Sequence, residues 1–169
     1  FAPKITVGKA GSGMHVHCKF TRNGQSVMTK NGELTDECRK AIAGYMVAGT
    51  SLPAFGNPHP LSFMRLVPHQ EAPTSLCWSF SNRSALVRVP LGWLKHMDMA
   101  AKCNPLEKAQ DKDFSYKQTF EWRASDGFAD TYLLMAALCC AARHGFEMPD
   151  ALAVADKTYV GLGVNIHDE

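Results

Sequence analysis

"MHVHCKF" (residues 14–20) followed by "TRNGQSVM" (residues 21–28) reads as a strand, a turn at Asn23-Gly24 and a returning strand. Side chains alternate along a strand, so His15 and His17 face the same way. Two imidazoles on one face suit a metal, or a metal and a second ligand, and they also occur as plain structural residues of a strand. Just upstream, Gly8, Gly11 and Gly13 crowd in front of the pair, and glycine lets a backbone approach a ligand closely. Their order, G-x-x-G-x-G, is not the dinucleotide fingerprint. No Lys-Ser/Thr pair follows, so it is not a phosphate-binding P-loop.

Outward from this stretch, Thr35 is placed to cap a helix whose first turn carries Asp36 and Glu37, where carboxylates suit the positive end of the dipole. That helix should run to about Gly49, with Ile42, Tyr45, Met46 and Ala48 as its apolar stripe. Residues 51–73 hold five of the nine prolines and are expected to form an ordered, irregular loop. "SLCWSF" (75–80) and "ALVRV" (85–89) read as strands flanking "SNRS", and "QTFEWRA" (118–124) as another. Between them, residues 91–117 mix charges with turn formers, with a short helix at the start. Asp126 to Arg143 is the strongest helix, closed by Gly145 as a left-handed cap, and Asp150 caps a last short one. Strands outnumber helices without regular βαβ alternation, which predicts an α+β fold with a largely antiparallel sheet.

At 169 residues the chain is long enough for one domain with its own core. Its 46% hydrophobic and 20% charged residues are those of a soluble globular protein. A net charge of +2 carries no nucleic-acid or membrane footprint. The apolar run "YLLMAALCCAA" (132–142) is well short of the roughly 20 residues that span a bilayer and is expected to be a buried helix. Six cysteines, at 18, 38, 77, 103, 139 and 140, include no C-x-x-C pair and are expected to be buried thiols of an intracellular protein. The chain starts at Phe1 without a signal peptide, and both ends look cut, as in a piece of a larger protein.

Three further stretches carry charge inside apolar sequence. In "FEWR", Glu121 and Arg123 share one face of an aromatic strand. A buried charge is costly unless paired or bound to a metal, so the pair is either a cross-strand ion pair or a metal-binding carboxylate beside an anion-binding guanidinium. "NRSALVR" supplies Arg83 and Arg88, and "MRLVPHQEAP" supplies Arg65 and Glu71. Guanidinium forks match planar carboxylate or phosphate groups bidentately.

In order, "GSGMHVH", "RLVPHQEAP", "NRSALVRVP" and "FEWRASD" resemble the signature motifs of the glutamine synthetase catalytic domain, NGSGMHxH, KRLVPGxEAP, NRSAxxRIP and xEVRxPD. The likeness covers nearly all of residues 1–149 except 91–117, which reads as an insertion in place of a much shorter connection. It implies a mainly antiparallel curved sheet flanked by helices, incomplete here. The family's small N-terminal β-domain and upstream metal-binding glutamates are absent, so residues 1–169 would be part of a catalytic domain and inactive alone.

The resemblance also implies roles. His15 would bind a divalent metal, Mg2+ or Mn2+, shared with Glu121, and His17 would lie against ATP. Gly11, Arg65 and Arg123 would bind the substrate glutamate, and Glu71 on a flap would handle the ammonium proton. Arg83 and Arg88 would meet the transferring phosphate and the nucleotide, Arg83 counting as catalytic. The implied reaction is ATP-dependent ligation of ammonia to L-glutamate through a γ-glutamyl phosphate, in a cytoplasmic homo-oligomer with sites between subunits.

Departures from the pattern keep two alternatives open. Ala10 stands where the family has Asn, Thr119 where it has Arg two residues before the motif glutamate, and Asp130-Thr131-Tyr132 where the helix starts NPY. The Asn change favours a γ-glutamyl-amine ligase. The Thr and the insertion favour a non-catalytic relative, against which stands the retention of seven charged or imidazole side chains.

Overall fold

The computed structural model describes residues 2–90, 99–108, 113–162, 164 and 166. The early strands are β1 (Val16–Cys18), β2 (Thr21–Arg22), β3 (Gln25–Ser26), β4 (Thr29–Lys30) and β5 (Glu33–Leu34). Next come α1 (Asp36–Val47), the one-turn helices α2 (Pro53–Gly56) and α3 (Pro60–Phe63), then β6 (Ser75–Phe80) and β7 (Ala85–Val89). The chain continues through α4 (Met99–Cys103), a 3-10 turn at Ser115–Lys117, β8 (Phe120–Trp122), α5 (Thr131–Glu147) and α6 (Ala151–Lys157). This is the expected α+β class.

Asn23 and Gly24 turn the chain as expected, with φ of 52° and 79°, the left-handed pair that a tight hairpin needs. The hairpin joins β2 to β3, however, and not the histidine strand. A second Asn-Gly turn at residues 31 and 32 repeats the device between β4 and β5. β1 is instead recruited by the distant β8. The main sheet has the order β1-β8-β7-β6, with β1–β8 and β8–β7 antiparallel and β6–β7 parallel. Four residues, 81–84, carry the chain back along the parallel pair, helped by Ser81 at φ 51°.

One face of this sheet is apolar. Phe120 and Trp122 are fully buried and meet Tyr45 of α1 edge-on, at centroid distances of 5.2 and 6.0 Å. α1 begins as expected: the Thr35 hydroxyl accepts from the Cys38 N–H, and Ile42, Tyr45 and Met46 are buried. α5 packs on α1 from outside. A Cβ on Gly145 would lie 2.0 Å from the Lys40 carbonyl, and one on Gly44 2.0 Å from the Ala141 carbonyl. Gly145 is therefore not a left-handed cap but the point of closest approach of two helices, and α5 runs through it to Glu147. The helix starts later than expected, at Thr131, because Asp130 caps it by accepting from Tyr132 and Leu133 N–H. Asp150 sits at the start of α6 without a side-chain capping bond.

Two further expectations change. The run 132–142 is helical but not wholly buried, since Tyr132, Leu133 and Met135 are exposed, while Leu134, Leu138, Ala141 and Ala142 are buried and Ala137 packs partly against the core. Cys139 and Cys140 lie on the outer side, and with Cys103 make three exposed thiols, while Cys38 and Cys77 are buried and Cys18 half-buried. The Pro-rich stretch is more regular than expected, its prolines opening α2 and α3. Residues 91–98 and 109–112, including the short helix expected at the start of 91–117, lie outside the described residues. Among the described residues no helix is long and apolar enough to cross a membrane.

Candidate functional site

Sheet register builds the centre of the site. His17 on β1 and Arg88 on β7 both stand opposite Glu121 on β8, so one row across three strands reads imidazole, carboxylate, guanidinium. Arg123, two residues beyond Glu121, joins the same face. Glu121 is fully buried. Its Oε1 lies 2.8 Å from Arg88 Nε, 3.0 Å from Arg123 Nε and 3.7 Å from His15 Nδ1. Its Oε2 lies 3.1 Å from His17 Nε2.

These are charge contacts, without an N–H aimed down either lone pair. Both Glu121 oxygens and the Arg88 and Arg123 Nε atoms are buried without a hydrogen-bond partner. A buried carboxylate in that condition is fit to receive a cation. His15 complements it. Burial, with Arg123 next in weight, holds its pKa below the ordinary imidazole value, which favours the neutral ring that a metal requires. Among the described residues, no three His, Cys, Asp or Glu side chains are arranged to hold a metal ion. His15 and Glu121 thus fit part of a divalent site.

Beside this centre opens a cavity of about 400 Å³ lined by Gly11, Gly13, His15, Arg65, Gln70, Glu71, Ala72, Arg83, Ser84, Arg88 and Arg123. Four guanidiniums against the single lining carboxylate of Glu71 give it a lining complementary to anions. Burial lowers the pKa of both Arg65 and Arg123, which marks desolvated cations. Arg123 is anchored by Nη1 donating to the Arg83 and Ala85 carbonyls. Arg65 Nη2 donates to the Ala124 carbonyl and, at 2.9 Å, to that of Ser125.

The glycines serve Arg65. A Cβ on Gly11 would stand 2.2 Å from the Pro3 carbonyl and 2.9 Å from Arg65 Cγ, and one on Gly13 2.8 Å from Arg65 Nη1. The loop is bare so that a buried guanidinium can lie against it. The Ser125 carbonyl also accepts from Met14 N–H at 2.8 Å, tying that loop to the histidine strand.

The structure therefore gathers seven of the sequence candidates, Gly11, His15, Arg65, Glu71, Arg83, Arg88 and Arg123, around one cavity. Glu121 lies beneath them, with His17 on its far oxygen.

Asn57 and His69 were not singled out from sequence, and Thr119 was singled out only as the loss of an arginine. Asn57, fully buried, donates through Nδ2 to the Ala124 carbonyl at 2.8 Å and to Asp126 Oδ2 at 2.9 Å, fixing the loop that holds Arg65. Its signal was an amide between prolines in a stretch that reads as loop. Thr119 Oγ1 lies 3.0 Å from His17 Nδ1. Its position two residues before Glu121 places it on the same strand face. His69 takes φ 59°, in the left-handed region that favours glycine, at the place where the motif KRLVPGxEAP has glycine.

The sequence profile described as "Glutamine synthetase, catalytic domain" matches residues 1–157. Glutamine synthetase of Neisseria gonorrhoeae is 35% identical over 149 residues, covering 87% of this chain and 27% of that protein. That of Pyrococcus horikoshii is 31% identical over 147 residues, covering 87% and 28%. Among solved structures, the cryo-electron-microscopy structure of Plasmodium falciparum glutamine synthetase superposes with a TM-score of 0.69 at 28% identity, over 87% of this chain and 26% of that one. The chain thus spans little more than a quarter of the length of the relatives it matches.

Proposed function

The chain belongs to the glutamine synthetase family, within its catalytic domain, and from that premise we propose that it carries part of the site of an ATP-dependent ligase joining ammonia to L-glutamate. The observation that carries the reading is the buried Glu121, set among His15, His17, Arg88 and Arg123 beside a cavity of guanidiniums.

Ligation through a γ-glutamyl phosphate moves negative charge from the nucleotide to the acyl group and then to free phosphate. Each stage needs preset positive charge in a site closed to water. Arg83 and Arg88 meet the transferring phosphate and the nucleotide. Arg65 and Arg123, both anchored on backbone carbonyls, hold the carboxylate of glutamate beside the Gly11 loop. Glu71, exposed on its loop at the cavity rim, takes the proton that ammonium gives up. His15 and Glu121 hold a Mg2+ or Mn2+ ion, which when bound neutralises phosphate charge. The remaining metal ligands come from elsewhere in a parent protein that is a cytoplasmic homo-oligomer with sites between subunits, and residues 91–117 are an insertion into its catalytic domain. Residues 1–169 alone form no glutamine.

A second reading, a γ-glutamyl-amine ligase, is favoured by Ala10, a methyl group where the motif has an amide. The protein containing this chain, assayed for phosphate release from Mg-ATP and glutamate, separates the two. Turnover with ammonia supports the first reading, and turnover only with small amines the second. Silence with all acceptors in a folded, metal-binding protein would refute both.

A further inference from the structure

Lys4 is a charged residue that none of the roles above uses, and it is only 4% exposed. Its surroundings make that unexpected, because residues 5–10, which follow it, are exposed throughout. A lysine is almost never so buried without a partner. Here Nζ donates to the Lys9 carbonyl, the four-carbon stem reaching across the loop between them.

A second closure lies just outside the first. Ser12 N–H donates to the Pro3 carbonyl at 2.9 Å. Within the loop, Lys9 N–H donates to the Thr6 carbonyl at 3.3 Å, and Gly8 takes the left-handed φ of 78° that the turn requires. The loop is thus closed twice, by main chain at residues 3 and 12 and by the ammonium at residues 4 and 9. Ala10 and Gly11 are strung between the two closures. Gly11 is the residue packed between the Pro3 carbonyl and Arg65 Cγ, and it lines the cavity. Burying an ammonium carries a desolvation cost that an apolar side chain of similar length does not. Core stability therefore does not explain a lysine here, whereas ordering of the loop does.

We propose that Lys4 is a positioning residue that, through the Lys9 carbonyl, holds the backbone around Gly11 against Arg65, where the proposed reaction places the substrate glutamate. The role toward substrate rests on the proposed function; the loop closure rests on the contacts alone.

The first test uses the native 169-residue chain. In nitrogen-15 NMR the Lys4 ammonium protons should exchange with water more slowly than those of the exposed Lys30. Equal exchange would overturn the closure. Lys4→Met then keeps the stem and removes charge and donor. Amide exchange at Gly11 and Ser12 should quicken about tenfold, the worth of one hydrogen bond to a charged group. Met14 N–H, which the Ser125 carbonyl holds at 2.8 Å beyond the loop, should be unchanged, and the urea midpoint should not fall. An unmoved loop, or a general quickening that includes Met14 with a falling midpoint, would overturn the proposal. In the parent protein the same variant should raise KM for glutamate about tenfold and leave kcat as it was. A loosened loop with an unmoved KM would overturn the role toward substrate. A native parent protein silent with every acceptor sinks the proposed reaction, and the measurements on the 169-residue chain still decide the closure.

Discussion

Replacing Glu121 by Gln tests the cationic cradle most directly, because the amide keeps the shape of the side chain and removes its charge. Glu121 is fully buried and Arg123 only 3% exposed, so water does not compensate. The Arg88 and Arg123 Nε atoms, 2.8 and 3.0 Å from the same oxygen, would lose their counter-charge and face each other across a neutral amide. Breaking a buried ion pair from one side costs about 3–5 kcal/mol. Arg88 keeps some solvent contact, its side chain 23% exposed, which puts the expected loss near 3 kcal/mol. Domains of this size are stable by about 5–15 kcal/mol, so the loss takes a large share of the total. With a urea slope of about 2 kcal/mol per molar, the unfolding midpoint of Glu121→Gln should fall by about 1.5 M. Inorganic phosphate supplies the missing negative charge from outside, and an anion at 100 times its dissociation constant returns about 2.7 kcal/mol. The variant should therefore gain more from phosphate than the native chain does. A midpoint within about 0.2 M of native would refute the claim that the guanidiniums depend on Glu121. A large fall with an equal phosphate response in both proteins would refute the anion site.

Gly145→Ala sets helix propensity against packing. Propensity alone predicts a gain of about 1 kcal/mol, but the new Cβ would stand 2.0 Å from the Lys40 carbonyl and 2.8 Å from Gly44 N, so α1 and α5 must part. Overpacking of this kind costs about 1–3 kcal/mol or more, and thermal unfolding should shift down; a raised Tm would show that the helices do not meet there. His15 predicts a pH dependence. Its folded-state pKa lies below the ordinary value, through burial first and Arg123 second. The unfolded chain then takes up the proton before the folded one, so this contribution is complete above about pH 6.5 and is lost as pH falls below it. Urea midpoints measured downward from about pH 7.5 should fall more steeply in the native chain than in His15→Gln, and equal slopes would contradict the assignment.

Much of the site could be read because its chemistry sits in short motifs whose residues share a strand face. His15 and His17 on one strand, and Glu121 and Arg123 on another, needed only period-two alternation to be placed together. What alternation cannot supply is the pairing. Nothing local says that β1 passes over the adjacent hairpin and joins β8, a hundred residues away, and it is that register which sets His17 and Arg88 on either side of Glu121. Gly145 failed for a related reason. Read along the chain, a glycine after a helical run is a cap, and only the carbonyl of Lys40 on another helix shows that it is a contact. The cysteines and the apolar run of α5 misled because an apolar composition says a face will be covered without saying by what. Tyr132, Leu133 and Met135 are exposed on this chain alone.

Thr119 shows the same limit from the opposite side. Against the family motif it reads as the loss of an arginine, and the sequence counts it toward an inactive relative. In the fold, the strand that brings Glu121 to His17 also brings the residue two places earlier to the other nitrogen of that ring. An arginine at this position would add a charge to a centre where Arg88 and Arg123 already crowd one carboxylate oxygen. A threonine adds a donor and no charge. The substitution removes an arginine charge and gives the histidine ring a hydroxyl neighbour, so the same residue reads as a loss along the motif and as a contact across the sheet.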